Sequence, residues 1–220
     1  MAIPRIAINN INDLKSVLDD LVPDFFASVT LDDNTITCKD EDGNTIFTVT
    51  VSGNAWFPTA YRSESSYLTP TGGQYIGAIK YCYKMGSNGA ILFYDGGSSS
   101  RDAIAIAKAQ NGKTAFVIPA ISSNIGNRHA TFFSACWGDD TAYTTSHTFC
   151  NANTPDVGNH CLLVPVPLFG SYDEPNYIPK VFAMLVSQQN MRGIIQEVTS
   201  ENGTFVTNGF VAMKYEGGDA

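Results

Sequence analysis

The sequence is short of charge, of histidine and of long apolar runs, and each shortage narrows what the chain can be. Charged residues make up 15% of its 220 residues, well under the roughly 25% of an average globular protein. No stretch approaches the ~18 consecutive apolar residues that a membrane-crossing helix needs. The opening MAIPRIAINN has no basic leader followed by an apolar core, so a cytosol-like, reducing compartment is expected for synthesis. Five cysteines, Cys38, Cys82, Cys136, Cys150 and Cys161, form no even, regularly spaced framework. Free thiols are therefore expected rather than a disulfide scaffold. Asn202-Gly203-Thr204 matches a glycosylation acceptor, but with no visible route to secretion it is set aside. P-loop and dinucleotide-binding glycine patterns are missing, and Gly170-Ser171-Tyr172-Asp173 lacks the second glycine of a nucleophile elbow.

What charge there is falls unevenly. The formal net charge is −8, and residues 1–42 hold nine acids against Arg5, Lys15 and Lys39, a local −6 that leaves −2 for the other 178 residues. An acidic chain of this kind is a poor match for phosphate backbones, so no nucleic-acid partner is expected.

Apolar residues, at 44%, suffice for one substantial core or two small ones. The clearest pattern is Val29–Val51, VTLDDNTITCKDEDGNTIFTVTV, where three β-favouring runs alternate with two clusters of turn residues. Ile36 and Cys38 share one side of the middle run, with Thr35, Thr37 and Lys39 on the other, and Phe47, Val49 and Val51 repeat that alternation. Asp32-Asp33-Asn34 and Asp40-Glu41-Asp42-Gly43-Asn44 supply what tight reversals require, so this stretch predicts a β-meander. Ahead of it, Ile11–Val22 predicts an amphipathic helix, capped by Asn10 or Asn12 and stopped by Pro23. Its apolar positions Ile11, Leu14, Leu18 and Leu21 have coiled-coil intervals. They suit a seam between subunits as well as the face a helix turns to its own domain.

Residues 52–73 show no sustained period but carry Trp56, Phe57, Tyr61 and Tyr67 among Gly, Pro and Ser. This reads as an aromatic-bearing connection that separates an N-terminal unit (1–51, anchor and oligomerisation) from a larger β domain (74–220). From Gln74 onward hairpins are predicted at Tyr75–Lys84 with Ala90–Tyr94, at Ala103–Ala109 with Thr114–Ile118, and at Ala130–Trp137 with Thr141–Cys150. Ala103, Ala105, Ala107 and Ala109 form a stripe of small side chains that admits close approach by another layer. Cys161–Phe169 is an apolar strand whose Pro165 and Pro167 argue for an edge position. Val181–Val186 reads as a strand, with a short helix as the alternative. Gly193–Thr199, Phe205–Val206 and Phe210–Tyr215 close the chain as a second meander. So many strands without helical crossovers predict a mainly β protein with a sandwich or jelly-roll-like domain.

Candidate chemistry is thin. His147, Cys150, His160, Cys161 and Cys136 are metal-ligand residue types, but their spacing fits no knuckle and neighbours in a strand point apart, so no metal is assigned. Asp40, Asp42 and Asn44 lack the further ligands of a calcium loop and are explained by turn chemistry. Glu64, Asp95, Asp102, Asp139, Asp173 and Glu174 lie in predicted turns or loops, where a pair across a cleft would make a glycan-cleaving enzyme, but acids occupy turns because turns are solvated and no enzyme is expected. Trp56, Tyr61 and Tyr67, with Phe57 and Trp137, suit either a sugar-stacking platform or core packing. No catalytic or cofactor-binding residue is expected.

A short amphipathic helix, a small meander and a larger β domain, closed by Asn202–Lys214 (NGTFVTNGFVAMK), together resemble structural proteins of tailed-bacteriophage particles: fibres, head fibres or tail components. The resemblance is one of pattern over the whole chain. It implies a non-enzymatic virion protein working as a symmetric homo-oligomer, often a trimer, with one end on other virion proteins and the other toward a host surface that bears glycans. The expected oligomer seam comprises Ile11, Leu14, Leu18 and Leu21 with Ala103, Ala105 and Ala107.

Overall fold

The computed structural model describes residues 3–60, 77–94, 103–108, 112–119, 132–134, 161–169, 175–186, 195–200, 203–208 and 211–217. The chain starts with a short strand, β1 (Arg5–Ala7), and then the helix α1 (Ile11–Asp19). Asn10 caps that helix: its Oδ1 accepts the Asn12 and Asp13 N–H groups at 2.8 and 3.1 Å, while the Asp13 carboxylate reaches back to the Asn9 N–H at 2.8 Å. Two orphan donors of the first turn are satisfied, and an acid sits where the helix dipole favours it. The helix stops three residues short of the predicted Val22. Beyond Asp19, the Leu21 and Val22 N–H groups bond to the carbonyls of Leu18 and Asp19, so the spacing tightens to three ahead of Pro23.

The predicted meander follows as β2 (Ser28–Asp32), β3 (Thr35–Lys39) and β4 (Thr45–Ser52), and it gains a fourth strand, β5 (Ala55–Ala60). The turns use the expected chemistry. Asp33 takes a left-handed φ of 48° and Gly43 one of 82°, and the Asp40 carboxylate accepts the Asn44 N–H at 2.8 Å. Ala55–Ala60, which the sequence assigns to the connection at 52–73, is a strand: Phe47, Val49 and Val51 of β4 face Ala60, Pro58 and Trp56 across an antiparallel ladder. Pro58 is tolerated because β5 lies at the sheet edge.

Next come β6 (Ile79–Lys84), β7 (Ala90–Tyr94), β8 (Ala103–Lys108), β9 (Thr114–Pro119) and β10 (Phe132–Ser134). They build a six-stranded antiparallel sheet in the order β1-β6-β7-β8-β9-β10. Ile6 of β1 pairs with Cys82 of β6, which ties the N-terminal segment into the sheet formed by the middle of the chain. The remaining strands, β11 (Cys161–Phe169), β12 (Pro175–Val186), β13 (Gln196–Ser200), β14 (Gly203–Thr207) and β15 (Val211–Lys214), form a five-stranded sheet in the order β11-β12-β15-β14-β13. Val181–Val186 is strand, as expected, and β11 with its prolines is an edge. The predicted strand Thr141–Cys150 lies outside the described residues.

The protein is thus mainly β, built of antiparallel sheets, with α1 the one helix among the described residues. One core joins the helix, the four-stranded sheet and one face of the six-stranded sheet. Leu14, Val17, Leu18 and Leu21 meet Phe25, Phe26, Ile36, Cys38, Phe47, Val49 and Trp56, and opposite them stand Cys82, Leu92, Ile104, Ile106 and Phe116. The Phe116 ring stacks on Phe47 at 4.9 Å between centroids and on Phe26 at 6.3 Å, adding roughly 0.5–1.5 kcal/mol per pair beyond area burial. The other face of the six-stranded sheet is buried too over β6 to β8, through Tyr83, Ile91, Phe93, Ala103, Ala105 and Ala107, and β12 of the five-stranded sheet approaches β8, the alanine strand.

Candidate functional site

Each side chain singled out from the sequence has a definite place where it is described. Leu14 and Leu18 are fully buried and Leu21 nearly so, all within the shared core, and Ile11 packs at its margin. The stripe that suits a seam between subunits is spent inside one chain. Ala103, Ala105 and Ala107 are likewise buried, but on the opposite sheet face from Ile104 and Ile106, which join the helix side. Helix stripe and alanine stripe therefore do not meet each other. The alanines do what small side chains allow, which is to let a further β layer come close.

The aromatic set divides. Trp56 is 4% exposed and packs in the core, so its ring faces are covered by the chain itself. Phe57, its neighbour, is half-buried on the opposite face of β5. Tyr61, Tyr67 and Trp137 lie outside the described residues, as do Ala109, the three histidines, Cys136, Cys150 and the loop carboxylates Glu64, Asp95, Asp102, Asp139, Asp173 and Glu174. Cys161 begins β11.

The outer face of the four-stranded sheet holds an arrangement that reading single strands does not reveal. The ladder registers align Thr30, Thr37, Thr48 and Thr59 in one row across all four strands, with Asp32, Thr35, Thr50 and Phe57 in the next. Neighbours in a row stand about 4.8 Å apart and the rows about 6.8 Å apart. The Thr35 and Thr50 hydroxyls bond to each other at 3.0 Å, and Thr30 and Asp32 are exposed while the rest are half-buried. The Thr-x-Thr spacing at 35/37 and 48/50 was the available signal. Alternation put these residues on a polar face, but only the register assembles them into rows.

Electrostatics sharpen the contrast between rim and core. Two acids at the end of the helix are held in ion pairs, Asp19 with Lys15 at 2.6 Å and Asp20 with Lys84. The Lys108 ammonium lies 5.4 Å from the centre of the Phe25 ring. Burial lowers its pKa, and the nearby Glu41 and Asp24 pull it part of the way back up. Inside, Cys38 and Cys82 are free and buried. Burial pushes the Cys82 thiol up to about 12, with Lys84 lowering it and Asp20 raising it by smaller amounts, and burial pushes Cys38 higher still, with a smaller push from Asp19. Neither is a thiolate at neutral pH. Among the described residues no three His, Cys, Asp or Glu side chains group as metal ligands, and no helix is long and apolar enough to cross a membrane.

Compared with known proteins, the chain matches no family model, no curated protein and no solved structure.

Proposed function

We propose that this chain is a non-enzymatic structural and interaction protein of a tailed-bacteriophage particle, working as a symmetric homo-oligomer, with a trimer as the expected state. The observation that carries the reading is the stacked β architecture. Both faces of the six-stranded sheet are buried at its central strands β7 and β8, so apolar surface goes into holding layers together, while a regular hydroxyl-lined sheet face is turned outward. Rigid stacked sheets with polar outer faces suit a component that transmits load and makes contacts. With the helix and alanine stripes occupied internally, the contact between copies falls to the outer threonine rows and the sheet edges, and then to other virion proteins.

Sedimentation equilibrium tests this directly. The wild type is expected at three times the 23.7 kDa chain mass, and Thr37→Arg/Thr48→Arg, which places two charges in one outer row, is expected to fold and run as a smaller species. A folded wild-type monomer at micromolar concentration sinks the oligomer reading.

A second reading, a carbohydrate- or receptor-binding module, is favoured by Phe57 standing in one row with Thr35, Thr50 and Asp32. An aromatic ring beside hydroxyls and a carboxylate is the chemistry that holds a sugar. A glycan array would separate the two readings, because signals lost on Phe57→Ala or Tyr61→Ala favour the binding module.

A further inference from the structure

The five-stranded sheet is joined to the turn between β6 and β7 by a contact whose parts are unusual enough to suggest a device. Beyond β15 the chain stays extended, and Glu216 forms a parallel bridge with Gly86, 130 residues away in sequence. The Glu216 N–H donates to the Met85 carbonyl at 3.1 Å, and the Ser87 N–H donates to the Glu216 carbonyl at 3.1 Å. The Asn88 Nδ2 donates to the Lys214 carbonyl at 2.8 Å, and the Ser87 hydroxyl donates to the Glu216 carboxylate at 3.4 Å.

The turn is shaped for this occupant. Gly86 has a φ of 66°, where L side chains are strained, and a Cβ there would collide with the Glu216 carbonyl. Gly89 is held as closely against the Ile106 carbonyl on β8, so the receiving turn is anchored to the central sheet. Met85, at its start, is fully buried, and its N–H bonds across the turn to the Gly89 carbonyl at 2.8 Å.

The closed joint also carries a cost. Asn88 is 3% exposed, and while its amide nitrogen is bonded, its Oδ1 has no partner among the described residues. A buried acceptor left unpaired penalises the closed state relative to one in which water reaches it. The joint thus combines two backbone–backbone bonds with two from side chains, is fitted to a glycine, and carries a built-in penalty.

We propose that Lys214–Gly217 is a releasable clasp. Bound at the Met85–Gly89 turn, it holds the five-stranded sheet over the alanine stripe; released, it lets that sheet open locally while the helix and four-stranded sheet stay folded. This does not depend on the functional reading above, since it concerns contacts within one chain.

Amide hydrogen exchange on the full chain tests it. In the wild type, Ser87, Glu216 and the amides of β14 and β15 are expected to exchange through one shared opening, with a weaker denaturant dependence than the amides of β3 and β4, which exchange only by global unfolding. Gly86→Ala on the turn side and Glu216→Pro on the segment side are each expected to raise exchange in residues 203–217 at least tenfold and to leave β3 and β4 protected. Unchanged exchange in both variants would overturn the clasp, as would an even loss of protection across all three sheets. If either variant fails to fold, the wild-type measurement decides alone, because a single denaturant dependence shared by all these amides also overturns it.

Discussion

The four-stranded sheet and the middle of the six-stranded sheet are both antiparallel, yet they are written in different alphabets. Along β3 and from Phe47 to Thr50 of β4 burial alternates: Ile36, Cys38, Phe47 and Val49 face in, while Thr35, Thr37, Thr48 and Thr50 face out. In β7 and β8 every residue from Ala90 to Tyr94 and from Ala103 to Ala107 is buried. The first sheet has one partner layer and one wet face; the second is covered on both. Alternation of burial is thus a property of a sheet with water on one side; with both sides covered it survives in β8 only as a difference in size, Ile104 and Ile106 toward one neighbour and the alanines toward the other, while β7 carries large side chains on both faces.

That contrast can be broken at graded cost. The largest effect is expected from Leu14→Asp/Leu18→Asp, which puts two charges into the core shared by the helix and both sheets. Each buried unpaired charge costs on the order of 4–5 kcal/mol, against a total stability of about 5–15 kcal/mol for a typical domain. The variant should lose its native far-ultraviolet circular dichroism rather than become a folded monomer, which would instead mark the stripe as a subunit seam. Phe116→Ala comes next. It removes the ring stacked against Phe47 and Phe26 and should cost about 3–5 kcal/mol by denaturant titration without changing the fold. The finest test pairs Ala105→Leu with Thr37→Val. Overpacking the alanine side should cost roughly 1–3 kcal/mol, whereas the outward position should stay within about 0.5 kcal/mol. Equal costs would mean that the two faces are not differently packed.

How far the sequence could be read follows the same physics. The hairpins were legible because alternation and turn chemistry are local: Asp40–Asn44 closes its own reversal whatever surrounds it. β5 was not, since AWFPTA contains a proline and has apolar residues in both phases; its place became evident only from its pairing with β4. The destination of Ile11, Leu14, Leu18 and Leu21 could not be read either, because the same spacing serves a neighbour in another chain and a neighbour in the same one. The alanine stripe announced close approach without naming the approaching layer. Which strands share a sheet, and hence which threonines share a row, depends on pairings between residues far apart, and periodicity carries no such information.

The pairing of β1 with β6 has a kinetic consequence. Ile6 finds its place only opposite Cys82, and the Ile3 N–H is bonded to the Glu197 carboxylate at 3.3 Å across 194 residues. The meander, whose strands follow one another directly, can close its hairpins on the microsecond scale. The six-stranded sheet cannot be completed at its β1 edge until loop-closure entropy has been met over some seventy residues. During synthesis at roughly 5–20 residues per second, β1 emerges several seconds before its partner exists. Topologies dominated by such distant pairings fold in milliseconds to seconds rather than microseconds, and for the interval before β6 arrives the chain's first strand is an unpaired edge.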